Sequence, residues 1–467
     1  MDTILGFVDT HKDRFLAELK DLLAIPSVSS HADHVPDMKR CAEWLAAHMT
    51  SLGMENVQIL PTGGHPVVYA DWLHAEGKPT ILLYGHYDVQ PEDPVELWTT
   101  PPFEATVRGE NLYARGASDD KGQVFIHLKA VEAIMKESGR LPVNIKMLIE
   151  GEEEVGSENL DRFVAEHIEL LKADLVVISD SGMYAKGVPS ICYSLRGLSY
   201  MEVEVTGPNR DLHSGSFGGS VHNPIQALCE MIASLHDKNG KITVKGFYDK
   251  VRPLTKTERD AFKKLPHSDA KYAKELGVKQ LYGEKGFTTL ERLWARPTLE
   301  CNGIWGGYYG EGAKTVLPAK ASAKISMRLV PDQTSDKVAK LFEAHFKKIA
   351  PKSIQVKVRN LHGGEPAITP IDSAGVKAAV AALEKGFGKK VLYQREGGSI
   401  PIVVQFKKIL GLDTVLLGFG LPDENAHSPD EFLNLDNFYG GIKTCIHFYH
   451  ELPEYWKGKS KKAKSKK

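Results

Sequence analysis

Two histidines and several carboxylates occur in this chain in short polar runs, each set just beyond an apolar stretch or at the mouth of a helical pattern. Gly85-His86-Tyr87-Asp88 follows the apolar run 81–84, and Glu150-Gly151-Glu152-Glu153-Glu154 follows 143–149. Asp180 follows 175–178, and Asn425-Ala426-His427 follows 415–417 after a glycine-rich turn. A fifth run, 116–122, carries Asp119 just ahead of a helical pattern at 122–136, where it can cap the helix or act as a ligand. Taken singly, each run has a plainer reading: an exposed acidic turn, a core histidine, a helix cap. Taken together, five carboxylates and two imidazoles repel one another and resist desolvation unless cations sit among them. A pair of divalent metal ions resolves that conflict. Imidazole nitrogen with carboxylate oxygen and no thiolate suits zinc, with manganese or cobalt as substitutes. One carboxylate bridging two ions about 3.5–4 Å apart is the usual geometry of such a pair.

The elements that must position these runs fall into two kinds. The stretches 81–84, 143–149, 175–178 and 415–417 are continuously or largely apolar, as strands buried on both faces of a helix-covered parallel sheet are. Helical patterns at 37–52, 122–136 and 159–172 lie between them, a βαβ arrangement. Ligand crevices in open α/β sheets lie at the carboxyl ends of the strands, which would place the polar runs along one rim. A second set, 199–205, 321–329 and 354–358, alternates apolar and polar residues and predicts half-exposed antiparallel strands. With a further strand near 303–309 and helices at 224–237 and 335–349, the order becomes β-α-β-β-α-β, the ferredoxin-like plan. The expected organisation is therefore a catalytic α/β domain, 1–196 and 367–467, with a mostly parallel central sheet flanked by helices. An α+β domain, 197–366, is inserted in it and carries a charged, partly helical excursion at 240–300.

Bulk properties exclude several classes. A formal charge of −1 gives no basic surface for nucleic acid or anionic membrane. No apolar run reaches the 18 or so residues that a spanning helix requires. The five cysteines are scattered, without a CxxC pair, and read as reduced thiols, so the cytoplasm is the expected location. Seven lysines among the last eleven residues read as a solvated tail. His450-Glu451 does not begin an HExxH motif, the 307–315 run is not a phosphate loop, and 397–401 lacks the last glycine of a serine-hydrolase elbow.

The runs GHYDVQP (85–91), RGASDDKG (115–122), EGEEEVGS (150–157), ISDSG (178–182), RDLHSG (210–215), GAKTVLP (312–318), REGGSIP (395–401) and NAHSPDE (425–431) resemble a known family. It comprises the dinuclear zinc peptidases and deacylases: carnosinases, cytosolic non-specific dipeptidases, carboxypeptidase G, aminoacylases and succinyl-diaminopimelate desuccinylase. The likeness is greatest to the dipeptidase and carnosinase branch. It implies that His86 and Asp180 hold one ion, Glu154 and His427 the other, and that Asp119 bridges them through a cis Asp119–Asp120 peptide. Within the glutamate run it implies Glu153 as general base and leaves Glu152 surplus and solvent-facing. Asp88, two residues beyond His86 on the same side of an extended strand, would hold the imidazole in its metal-binding tautomer.

The implied activity is hydrolysis of dipeptides by a metal-activated water, with Glu153 moving the proton from water to the leaving amine. The same family leaves open an N-acyl amino acid deacylase or desuccinylase, and a third reading is an inactive metal-binding scaffold. Arg328 would clamp the substrate carboxylate, with Ser399 and Thr315 completing that pocket and His362 a further candidate. His213 would serve the oxyanion, reaching the partner's site across a homodimer formed through the inserted lid domain.

Overall fold

The computed structural model describes residues 1–398 and 400–463, the side chains of 457–463 excepted. The chain divides into two compact units. The first comprises Met1–Tyr193, Thr369–Gln394 and the stretch from Ile402 onward; the second comprises Ser194–Ile368 with Arg395–Pro401. The short segment 395–401, which the sequence places in the catalytic domain, groups with the second unit.

The sheet of the first unit uses β1 (Glu55–Leu60), β2 (Val67–Trp72), β3 (Thr80–His86), β4 (Asn144–Glu150), β5 (Leu175–Ile178), β6 (Ser190–Leu195) and β7 (Thr414–Leu416). Their order is β1-β2-β4-β3-β5-β7-β6. The four central strands, β4, β3, β5 and β7, run parallel, while β1, β2 and β6 add antiparallel edges. The continuous apolar runs are explained by burial on both faces. Ile81 and Leu83 face one core with helices α1 (Val35–Ser51), α2 (Lys121–Ser138), α3 (Ala374–Phe387) and α4 (Leu435–Ala463). Tyr84 faces the other way and meets Phe406 edge-on at 5.4 Å. No helix among the described residues is long and apolar enough to cross a membrane.

Some elements differ from expectation for local reasons. The helical pattern at 159–172 breaks into Leu160–Glu166 and Ile168–Leu171 at His167, whose backbone leaves the helical region (ψ 31°). The amphipathic N-terminus likewise divides at His11 into Asp2–Thr10 and Lys12–Leu23. The exposed edge strand β1 was not anticipated, because its alternating, largely polar face carries little apolar signal.

The second unit has strands Gly197–Thr206, Thr298–Gly306, Lys320–Leu329 and Gln355–Gly364, all antiparallel. In space they run second, third, first, fourth, the ferredoxin-like order. The second strand begins at Thr298, five residues before the expected start. Met201, Val203 and Val205 alternate inward against the helices Pro224–Ala233 and Ser335–Ile349, contributing to a separate core with Leu228, Phe342 and Phe346.

The start of α2 approaches the loop bearing Asp119 closely. A Cβ at Gly122 would lie 1.9 Å from the Ala117 carbonyl oxygen, whereas one at Gly6 would meet nothing within 4 Å. Gly122→Ala should therefore lower unfolding free energy by about 1–3 kcal/mol in urea titrations. Gly6→Ala, in an open helix interior, should leave it unchanged or raise it by up to about 1 kcal/mol. Equal stability of the two variants would contradict the close approach.

Candidate active site

The parallel register of the first unit decides which side chains can meet. His86 pairs across the ladder with Glu150, and Tyr84 pairs with Ile178, two residues before Asp180. Leu416 of β7 pairs with Ile178 as well, so the carboxyl ends of all four parallel strands lie level. Asp119 arrives from another direction, at the N-terminus of α2, where exposed amides favour anions. The Asp119–Asp120 peptide is cis.

At this rim the ring nitrogen and carboxylate oxygens of His86, Asp119 and Asp180 lie within 4.8 Å of one another, and so do those of Asp119, Glu154 and His427. Asp119 belongs to both groups and divides its oxygens between them. Oδ1 lies 3.1 Å from His86 Nε2 and Oδ2 lies 2.9 Å from His427 Nε2. His427 Nε2 also lies 3.3 Å from Glu154 Oε2, which accepts from Gln90 Nε2 at 2.8 Å. His86 is fully buried, whereas the His427 side chain is 55% exposed.

His86 Nδ1 donates to the backbone carbonyl of Asp88 at 2.9 Å and lies 3.4 Å from its carboxylate. A carbonyl only accepts, so Nδ1 carries the proton and the lone pair of a neutral ring sits on Nε2, facing Asp119. The Asp88 carbonyl is thus the nearer partner of Nδ1, with the carboxylate behind it. That carboxylate also grips the glutamate run, accepting from the amides of Glu153 (3.2 Å) and Glu154 (3.1 Å).

The electrostatics are those of a site short of positive charge. Burial pushes the Asp180 carboxyl well above its usual range, and repulsion from Asp119 adds to it. Burial also lifts Glu153 to about 8, against the pull of His86 and with repulsion from Glu154 and Asp119. Hydrogen bonding to Asp119 and Glu154 raises His427 to about 10. Burial disfavours the charged form of His86, yet Asp119 and Asp88 outweigh it and raise its pKa well above the ordinary value. Protons therefore supply charge that divalent cations would supply better, and the donor set (two imidazoles, three carboxylates, no thiolate) fits such ions.

Glu152 corrects an expectation. It is buried, not solvent-facing, and accepts from Thr62 Oγ1 (3.3 Å) and from Asn159 Nδ2 (3.1 Å). Gly64 permits this: a Cβ there would lie 1.8 Å from Glu152 Oε1.

Several contributing residues escaped the sequence reading. Glu431 is fully buried, and its carboxylate accepts from four donors on the segment that carries Asp119. They are Arg115 Nη1 (2.8 Å), Gly116 N (2.9 Å), Ser118 N (2.9 Å) and Asp119 N (3.1 Å). Glu424 accepts from Ser118 Oγ at 2.5 Å and from the amides of Leu421 and Asn434. Asp430 accepts from Thr99 N and Oγ1 and from Arg108. The signal was present for Glu431 and Asp430, which close the NAHSPDE run, but a carboxylate that binds amides looks in sequence like one that binds metal.

The remaining expected site residues lie in the second unit. Arg328 pairs in register with Leu198 and His362 with Tyr200, so both sit on the sheet face away from the helices. The His362 and Tyr200 rings are 5.1 Å apart. His213 and Thr315 come together where Leu212–His213 pairs with Val316–Leu317, and Ser214 N donates to Thr315 O at 3.0 Å. His213 is exposed, and its Nδ1 accepts from the amides of Gly215 (3.0 Å) and Ser216 (3.2 Å). Ser399 lies outside the described residues.

Residues 82–451 match peptidase family M20/M25/M40. The chain belongs to this family. It is 36% identical to the Cys-Gly metallodipeptidase dug1 of Schizosaccharomyces pombe, over 97% of this chain and 98% of that one. It is 34% identical to human beta-Ala-His dipeptidase over 97% and 93% of the two chains. Among solved structures it resembles the Saccharomyces cerevisiae di-peptidase Dug1p (32% identity, 97% and 98% covered, TM-score 0.79). It also resembles the family M20 metallo-carboxypeptidase Sso-CP2 of Sulfolobus solfataricus (35% identity, 94% and 99% covered, TM-score 0.81).

Glu431→Gln would turn a donor toward amides that now find an acceptor. The metal-free variant should lose on the order of 3 kcal/mol of stability in urea, the scale for breaking a buried charged pair. Its affinity for zinc, measured by competition with a chelating dye, should fall by at least about tenfold. Unchanged affinity would show that Glu431 supports the fold without positioning Asp119.

Proposed function

We propose that this protein is a metal-dependent dipeptidase that works with two divalent cations, zinc by preference, in the site shared by Asp119. The observation that carries this reading is the pair of ligand groups meeting at Asp119 with Glu153 beside them. The named relatives act on dipeptides, which favours dipeptidase over the deacylase alternative.

His86 and Asp180 would hold one ion, Glu154 and His427 the other, and Asp119 both. When bound, the ions would supply Lewis acidity, polarising the scissile carbonyl and acidifying the attacking water toward a pKa of about 7. Glu153 takes the proton from that water and hands it to the leaving amine. Asp88 fixes Glu153 and Glu154 relative to one another through their amides. Because His213 Nδ1 accepts two amide protons, its neutral ring carries hydrogen on Nε2 and offers it outward as the donor an oxyanion needs. Arg328 would take the substrate's terminal carboxylate, with Thr315 and His362 as further candidates for that pocket.

The second unit serves as lid and dimerisation domain in this reading, with His213 completing the partner's site. Support comes from Ile304 and Trp305, exposed on the edge strand Thr298–Gly306, and from Tyr309, 95% exposed just beyond it. A cytoplasmic location accords with Cys229 and Cys301, exposed thiols outside any disulfide.

Purified protein should bind two ions per chain by elemental analysis, and Asp119→Ala should lose both. Glu153→Gln should keep the ions while kcat on a dipeptide falls by at least about 100-fold. Glu154→Gln should weaken metal affinity itself. Retention of two ions by the Asp119 variant would refute the shared-ligand assignment.

A second experiment addresses the partner subunit. Mixing inactive His213→Ala and Glu153→Gln proteins under subunit exchange should restore part of the activity, because a mixed dimer contains one complete site. Continued inactivity, with exchange verified by mass, would place His213 in its own chain's site.

A further inference from the structure

Arg196 sits immediately before the strand Gly197–Thr206 and turns onto the segment 395–401 of the same unit. Its amide donates to Gly398 O at 3.1 Å and its Nε to Gly397 O at 3.2 Å. A Cβ at Gly397 would lie 2.9 Å from Arg196 Nη2, so the guanidinium rests directly against this turn. The same segment is held from another side: Arg395 pairs with Glu258, which also closes the capping box of the helix Lys256–Phe262. The charged excursion of the second unit is thereby fastened to the glycine turn.

Arg196 is also tied to Arg328. Leu198, two residues on, is the register partner of Arg328. The two guanidiniums act on each other: burial first, then the charge of Arg328, holds the Arg196 pKa down at about 10, with Glu300 opposing. Two like charges in a half-buried setting are mutually unfavourable, and an anion placed with them relieves the repulsion. A carboxylate suits this because guanidinium forks bind it with two parallel hydrogen bonds.

We propose that Arg196 is a positioning residue for recognition of the substrate's terminal carboxylate, tying the 397–398 turn to Arg328 and adding a second positive charge to that pocket. The inference rests on the reading of Arg328 as the carboxylate clamp. It makes the preference for a free carboxylate over a capped terminus a property of two arginines and one glycine turn.

The test compares a dipeptide with its C-terminal amide on the metal-loaded enzyme, using Arg196→Met, Arg196→Lys and Arg328→Met. For Arg196→Met, KM for the free dipeptide should rise about 10- to 100-fold, the scale of a charged hydrogen bond, while kcat stays within about threefold. KM for the amide should not move, so the preference for the carboxylate falls by the same factor. Arg196→Lys keeps the charge but not the Nε contact and should give an intermediate KM. If KM for dipeptide and amide shift together, or neither shifts, Arg196 is only structural and the proposal is overturned. If Arg328→Met leaves the preference intact, the clamp reading itself fails; if it abolishes the preference and Arg196→Met does not, only the present inference fails. Should Arg196→Met not fold, Gly397→Ala retains the arginine but pushes its guanidinium off the turn. That variant should reproduce the selective rise in KM, and normal selectivity in it would overturn the proposal.

Discussion

The candidate centre depends on one buried carboxylate that binds no candidate metal ligand side chain. Glu431 accepts four hydrogen bonds from residues 115–119 and lies four residues after His427. The loop that delivers His427 and the loop that delivers Asp119 are therefore one hydrogen-bonded body. Burial pushes the Glu431 carboxyl above the usual range, and Arg115 with the amides of Gly116 and Ser118 pulls the other way. Without such an internal anchor, four carboxylates gathered at one rim would relax apart, since each raises the energy of the others. Asp88 repeats the device for the glutamate run, using both oxygens on consecutive amides. Anionic side chains thus position other anionic side chains by binding the backbone that carries them.

What was legible in the sequence follows from this division of labour. A strand buried on both faces announces itself by an unbroken apolar run, and the polar residue following it by contrast; His86 and Asp180 were singled out as candidates that way. The second unit was legible for the opposite reason, since only one face of its sheet is covered and alternation survives, as at Met201, Val203 and Val205. Consecutive glutamates gave no such contrast. Glu152, Glu153 and Glu154 are identical in type, and what separates them is tertiary: Asn159 and Thr62 for one, the imidazoles for the others. The role of Asp88 was half visible, because strand geometry puts its side chain near His86 but cannot show that the nearer acceptor is its carbonyl.

Gly64, Gly85, Gly122 and Gly397 mark places where another group passes through the space a side chain would fill: Glu152, Asp120 with Val124, the Ala117 carbonyl and Arg196 respectively. Three of the four lie in or beside the runs that carry the chemistry. The backbone there is packed against functional groups instead of merely linking them, which ties tolerance of mutation at these glycines to the site and not to turn formation.

The two imidazoles differ in setting. His86 is enclosed at the end of a parallel strand with its ring fixed on both sides. His427 is mostly exposed, sits at φ 62° between Asn425 (φ 55°) and Asp430 (φ 57°), and belongs to a loop whose backbone adopts an uncommon conformation. In the two-cation reading the two positions would be unequal in the time domain. A cation beside His427 would leave past one surface ring, while one beside His86 would wait for the rim itself to part. Exchange with free metal would then proceed in two phases, the outer position turning over first, and occupancy by different metals in the two places would be set by order of loading as much as by affinity.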